Sequence, residues 1–161
     1  MNGNSLSHLD PPGEAPMVDQ SSSLCCAIAA CEIAMSTKTL DIIQAGTPPK
    51  ENILNTAKLA GIMAAKQTAH LIPHCYPAPL RAIEIRIYLD ENIPGYQIEA
   101  EAKAAASNGV EMEALTAATV TALTIYDLAK ALDQTMVISQ LRLTYKSGSK
   151  SGDFCELKKP S

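Results

Sequence analysis

The sequence predicts an α+β sandwich, an antiparallel sheet covered by helices, and three observations point to it. Two neighbouring segments alternate apolar and polar residues with a period of two, as half-buried strands do. Two longer segments carry small or apolar residues at helical spacing. The chain has 161 residues and 47% hydrophobic content, enough for one core without help from disulfides. A single domain over 1–161 is expected.

Residues 1–20 are rich in Pro, Gly and polar side chains and read as a flexible N-terminal arm. From Leu24 to Met35 the chain is nearly all apolar, a length that suits either a strand or a buried helix, with strand preferred. Ser36 or Thr37 can cap a short helix through "TLDIIQA", which Gly46 would close. After the turn "GTPPKEN" a long helix is expected from Ile53 to about His70, with Ala57, Gly61 and Ala65 lining one face for close approach of another backbone. Pro73 ends it, and "LIPHCYPAP" should leave in extended form, because a residue before proline avoids the helical basin.

Then "LRAIEIRIYL" sets Ile83, Ile85 and Ile87 against Glu84, Arg86 and Tyr88, and "YQIEAEAKA" alternates again after the Pro94-Gly95 turn. The longest helix signal runs from Asn108 to Leu132, with Asn108 as the cap and Glu111 three residues on as its capping-box partner. "TMVISQLRLTYK" reads as a strand, and 147–161 as a mobile C-terminal loop and tail. The order helix, strand, strand, helix, strand, with the ambiguous apolar run as a strand ahead of it, suggests the ferredoxin-like form of the sandwich.

Composition removes several classes of function. A formal net charge of -4, no long basic run and only five Tyr and one Phe argue against nucleic-acid binding. The first residues lack a basic region followed by an apolar one, and no apolar stretch approaches the roughly 20 residues of a membrane helix, so a cytoplasmic protein is expected. Five cysteines without a C-x-x-C pair or a His partner at zinc spacing argue against a disulfide framework and against a metal site. Cys25, Cys26 and Cys31 read as small core residues.

Asp127 and Lys130, three apart after thirteen uncharged residues from Ala114 to Tyr126, either form a surface ion pair or act in acid/base chemistry. In the second case other cations nearby would lower the lysine's pKa. Glu111 and Glu113 sit where a helix dipole favours negative charge, and being two apart should face different ways. Lys50, Lys146 and Lys150 lie in segments whose free backbone N–H groups suit phosphates. "SGSKSG" is nonetheless not a P-loop, since its spacing is wrong. In "LIPHCYP" an extended backbone would turn His74 and Cys75 to opposite faces, which speaks against a metal site or an activated thiol.

The stretches "GVEMEALTAATVTALTIYDLAKA", "LAGIMAAKQTAHLIP", "GEAPMVD" and "KSGSKSGDF" resemble the cyclic pyranopterin monophosphate synthase family of molybdenum cofactor biosynthesis, from about Gly13 to Phe154. The resemblance implies a ferredoxin-like subunit in a homohexamer, a trimer of dimers, with active sites between subunits. It implies a lyase that rearranges a cyclised dihydro-GTP into a pterin bearing a cyclic phosphate, with release of pyrophosphate and no cofactor. Carried over residue by residue, it makes Asp127 and Lys130 the acid/base pair. It makes Lys50, Lys146 and Lys150 contacts for the triphosphate, and places substrate against His74, Cys75 and Tyr76 and against Glu111, Met112 and Glu113.

Three positions depart from the family pattern. Leu-Cys-His-Pro is usual where this chain has His74-Cys75-Tyr76-Pro77, so a phenol replaces an imidazole, while His74 is expected on the other face. Cys25 stands where an arginine is usual, and Lys50 is followed by Glu51-Asn52 in place of Gly-Asp. These changes keep open a second reading, a catalytically weak homologue that retains the hexamer and nucleotide binding.

Overall fold

A computed structural model describes residues 24–46, 50–105 and 108–156. The N-terminal arm, the centre of "GTPPKEN" and the last five residues lie outside these. In chain order the elements are β1 (Leu24–Ala34), α1 (Thr37–Gln44), α2 (Lys50–Leu71), β2 (Leu80–Asp90), β3 (Gly95–Ala105), α3 (Glu111–Ala129), β4 (Val137–Ser147) and β5 (Phe154–Cys155). The strands form one antiparallel sheet in the order β2-β3-β1-β4-β5, which is the expected sandwich with a short fifth strand added.

The ambiguous apolar run is therefore a strand, and a central one. Cys25, Ala27, Ala29, Cys31 and Ile33 alternate into the core, opposite Ala104, Ala102, Ala100, Ile98 and Tyr96 of β3. Small side chains on this face let α3 settle close to the sheet with its own Ala114, Ala117, Ala118 and Ala122. The approach is near enough for the Cys31 thiol to donate to the Ala118 carbonyl at 3.4 Å. Burial pushes that thiol's pKa up to about 11, so it stays an inert core group. Cys26 departs from expectation, because alternation turns it to the helix-free face, where it donates to Glu101 at 3.4 Å.

That outer face carries an ion network. Arg86 reaches Glu84, Glu99 and Glu101 at 3.0, 3.3 and 3.5 Å, and Lys103 reaches Glu101 at 2.8 Å.

α1 begins as expected, with the Ser36 hydroxyl accepting from the Thr39 N–H at 3.2 Å, and Gly46 follows it in the left-handed region at φ 83°. α2 begins three residues before Ile53, at Lys50. Its stripe of Ala57, Gly61 and Ala65 is buried as expected, and a Cβ on Gly61 would collide with Thr121 and Ile85 and lie 2.9 Å from the Ala117 carbonyl.

The capping box at α3 does not form. Gly109, in the left-handed region at φ 72°, turns the chain so that Asn108 lies outside the helix and Val110 becomes the N-cap without a side-chain bond. Glu111 instead pairs with Lys146 of β4 at 3.2 Å. α3 ends at Ala129 with Lys130 as its C-cap.

Candidate active site

The segment "LIPHCYP" opens as a tight turn, and β2 begins only at Leu80. The Ile72 N–H donates to Thr68 at 2.9 Å, continuing the helix, and the Cys75 N–H then donates back to the Ile72 carbonyl at 3.0 Å. Pro73 ends the helix but sits inside this turn, so the strict alternation expected for residues 74–76 does not apply. His74, Cys75 and Tyr76 all line one cavity of about 430 Å³.

The opposite wall is the start of α3, with Glu111, Met112 and Glu113 all lining the same space. Being two apart they engage different partners, Glu111 the Lys146 ammonium and Glu113 the Cys75 thiol, while both residues border the cavity at the helix end. Lys146 reaches the region through Glu111 and also donates to the Ser151 hydroxyl at 2.6 Å. Lys150 is exposed in the turn that follows β4. That turn is closed by the Gly148 N–H donating to Asp153 at 3.1 Å, and the chain runs back as β5, with Phe154 and Cys155 opposite Lys146 and Tyr145.

Glu113 is the chemically unusual member of this wall. Only 4% of it is exposed, and burial raises its pKa above the ordinary carboxyl value, with the charge of Glu111 adding to the rise. The Cys75 thiol donates to it at 3.6 Å. Burial, then the charge and the hydrogen bond of Glu113, raise the Cys75 pKa as well. A thiol held protonated beside a carboxylate is a hydrogen-bond donor and a poor nucleophile. Glu113, a buried carboxyl at the cavity wall whose pKa burial raises, is a candidate for general acid/base work.

The remaining sequence-derived residues lie elsewhere. Lys130 donates to Asp127 at 2.6 Å in an exposed pair at the far end of α3. Asp127 raises the pKa of Lys130, first by that hydrogen bond and then by its charge; the lowering expected from neighbouring cations is not what a single chain provides.

Asp127 lies fourteen positions after Glu113 along the helix, about 21 Å at 1.5 Å per residue. Lys50 belongs to the same far end, because α2 runs antiparallel to α3. Gly61 lies against Ala117 and Thr121, while Ala65, Ala69 and His70 share a small crevice with Glu113. Lys50 is held there by Gln44, whose side-chain oxygen accepts from the ammonium at 2.5 Å while its amide donates to the buried Tyr96 hydroxyl at 3.3 Å. Gln44 and Tyr96 gave no signal in the sequence. Their link to Lys50 crosses the turn after α1, and nothing in spacing announces it.

The candidate residues thus form two groups at opposite ends of the helical layer. His74, Cys75, Tyr76, Glu111, Met112, Glu113, Lys146 and Lys150 belong to one end, and Lys50, Asp127 and Lys130 to the other. Among the described residues no group of three or more His, Cys, Asp or Glu side chains is placed to hold a metal ion, and no helix is long and apolar enough to cross a membrane.

The sequence model of the MoaC family matches residues 17–149, a span that contains all but one of these candidates, Lys150. This chain belongs to the MoaC family. A cyclic pyranopterin monophosphate synthase of Nostoc sp. (strain PCC 7120 / SAG 25.82 / UTEX 2576) is 53% identical to it over 156 residues, covering 95% of this chain and 93% of the relative. The synthase of the same name from Trichodesmium erythraeum (strain IMS101) is 53% identical over 152 residues, covering 92% of each chain. That of Jannaschia sp. (strain CCS1) is 47% identical over 152 residues, with 92% and 93% covered. The MoaC match extends along both long helices and through β4, so the two ends of the helical layer both fall within what the family shares.

Proposed function

We propose that this MoaC chain is a cyclic pyranopterin monophosphate synthase. It converts 3',8-cyclo-7,8-dihydroguanosine 5'-triphosphate to cyclic pyranopterin monophosphate and releases pyrophosphate. The observation that carries this reading is the cavity itself. It gathers on one wall each the two segments that the family resemblance assigns to substrate, His74 to Tyr76 and Glu111 to Glu113. Opening a guanine ring and closing a pterin needs successive proton transfers, and the raised pKa of Glu113 suits a group that both accepts and returns protons. Closing the cyclic phosphate joins a substrate hydroxyl to the α-phosphorus as the bond to pyrophosphate breaks. Lysines 50, 146 and 150 offset the charge that the leaving group takes up.

The active site is shared between two subunits of a homohexamer, a trimer of dimers. Asp127 and Lys130 cannot reach across about 21 Å of their own helix to a ligand in the cavity. A second copy that brings its own Lys50, Asp127 and Lys130 to the cavity completes the set. The surface for such a neighbour is at hand, since α3 is uncharged from Ala114 to Tyr126 although Leu123 is exposed and Leu115, Thr116, Thr119 and Val120 are half-buried. In the assembly Lys130 would meet cations it lacks in the single chain, which is the setting that lowers a lysine's pKa for proton transfer.

A second reading, a catalytically weak homologue that keeps the assembly and nucleotide binding, draws on one observation. Cys25 is fully buried and its thiol donates to the Gly148 carbonyl at 3.1 Å, so that position offers an anion nothing. Incubation with the cyclised GTP decides between the two. Pyrophosphate and cyclic pterin phosphate released in equal amounts support the synthase, and no product at high enzyme concentration rejects it.

A further inference from the structure

Lys50 differs from Lys130 and Lys146 in the partner that holds it. Lys130 and Lys146 are bound to carboxylates, Asp127 at 2.6 Å and Glu111 at 3.2 Å. The Lys50 ammonium donates instead to the side-chain oxygen of Gln44, the last residue of α1, at 2.5 Å. A lysine can only donate, so the amide must turn its oxygen to Lys50 and its NH2 the other way. That NH2 donates to the Tyr96 hydroxyl at 3.3 Å. Tyr96 is a fixed end for this link, because it is 1% exposed and its backbone is paired on both sides, with Ile33 of β1 and Leu89 of β2. Burial raises the phenol's pKa above its ordinary value, so the anchor stays neutral. Lys50 opens α2, where the helix dipole disfavours a cation, and an acceptor offsets that cost.

We propose that Gln44 is a positioning residue for Lys50: pinned by Tyr96, its neutral amide oxygen aims the ammonium and leaves the charge to the phosphates of a nucleoside triphosphate. This rests on the reading that Lys50 serves the triphosphate of the substrate. A carboxylate partner would hold the ammonium as firmly but cancel much of its field at a third group, and a phosphate would have to break that ion pair. An amide oxygen fixes direction without that opposition. The ammonium has three donors, so one can stay on Gln44 while the others meet phosphate oxygens. Gln44, Tyr96 and Lys50 belong to one chain, so the device travels intact with Lys50 to the cavity of a second subunit. The effect of Gln44 passes through Lys50 alone, which separates it from a residue that merely holds α1 against the sheet.

The test is a double-mutant cycle on the full chain, with Gln44→Leu, Lys50→Ala and the two together. It is read as the Kd for GTP by calorimetry and as kcat/KM for the cyclised GTP. Gln44→Leu should weaken GTP binding and lower kcat/KM by about tenfold, and should change either by less than about twofold once Lys50 is alanine. Tyr96→Phe, which keeps the ring in the core and removes only the hydroxyl, should cause a smaller loss that also vanishes without Lys50. Gln44→Glu keeps an acceptor but adds a charge, and should bind GTP at least as weakly as Gln44→Leu. Equal losses with and without Lys50, or wild-type affinity in Gln44→Leu or Gln44→Glu, overturn the proposal. GTP binding needs no turnover, so coupling in Kd with no product from wild type would reject the synthase reading alone. Product from wild type without coupling would reject this proposal alone.

Discussion

Asp133 is the most heavily engaged carboxylate of the described residues. It accepts from the N–H and hydroxyl of Thr135 at 2.8 and 2.6 Å, from the Ser36 N–H at 2.8 Å and from the Thr39 hydroxyl at 3.3 Å. These bonds, those of Thr135 first and then that of Ser36, hold its pKa far below the usual carboxylate range. A folded-state pKa below the unfolded one means that stability is present above the unfolded value, near 4, and is lost as pH falls through it toward the folded value. Asp133→Ala should therefore lower the melting temperature at neutral pH and change it little in strong acid. Equal losses at both would show that the carboxylate's charge is not what holds α1 in place. Nothing in the sequence marked Asp133 as an anchor for α1, because its partners there, Ser36 and Thr39, are 97 and 94 residues away along the chain. The prolines of "LIPHCYP" were legible as stiffening a loop, whose contact with substrate the family resemblance alone implied, but the turn at Pro73 that brings three successive residues to one cavity was not. The rule for an extended segment assumed a backbone that begins two residues later.

At the scale of elements, α2 and α3 are set by Gly61. A Cβ there has no room against Thr121, Ile85 and the Ala117 carbonyl, and the last of these is backbone that cannot swing aside. Gly61→Ala should destabilise the fold by about 1–3 kcal/mol in urea titration despite the better helix propensity of alanine. A neutral or stabilising result would mean that the helices separate easily. This stripe was readable in advance because Ala57, Gly61 and Ala65 repeat every four residues. The strands were readable from their period of two, and β1 only in part, since it is buried on one face and half-buried on the other. The cap of α3 was misread because its left-handed Gly109 moves the helix start past Asn108. β5, two residues long, carries too little pattern to be seen.

For the whole molecule, antiparallel α2 and α3 put the candidate acid/base pair and the candidate substrate cavity at opposite ends of one layer. The sequence held both sets of residues but not their separation, which depends on helix direction and length. The family resemblance alone pointed to a shared site. A shared site makes a prediction that a self-contained one does not. Asp127→Asn and Glu113→Gln should each abolish synthesis of cyclic pyranopterin monophosphate, and subunits of the two variants, dissociated and reassembled together, should regain it. In a dimer of mixed subunits one of the two sites combines a wild-type Asp127 with a wild-type Glu113. Random pairing should then restore about a quarter of wild-type turnover. Recovered activity that grows with the fraction of mixed dimers is the predicted result. Inactive mixtures whose mixed assembly is demonstrated would contradict the two-subunit site directly.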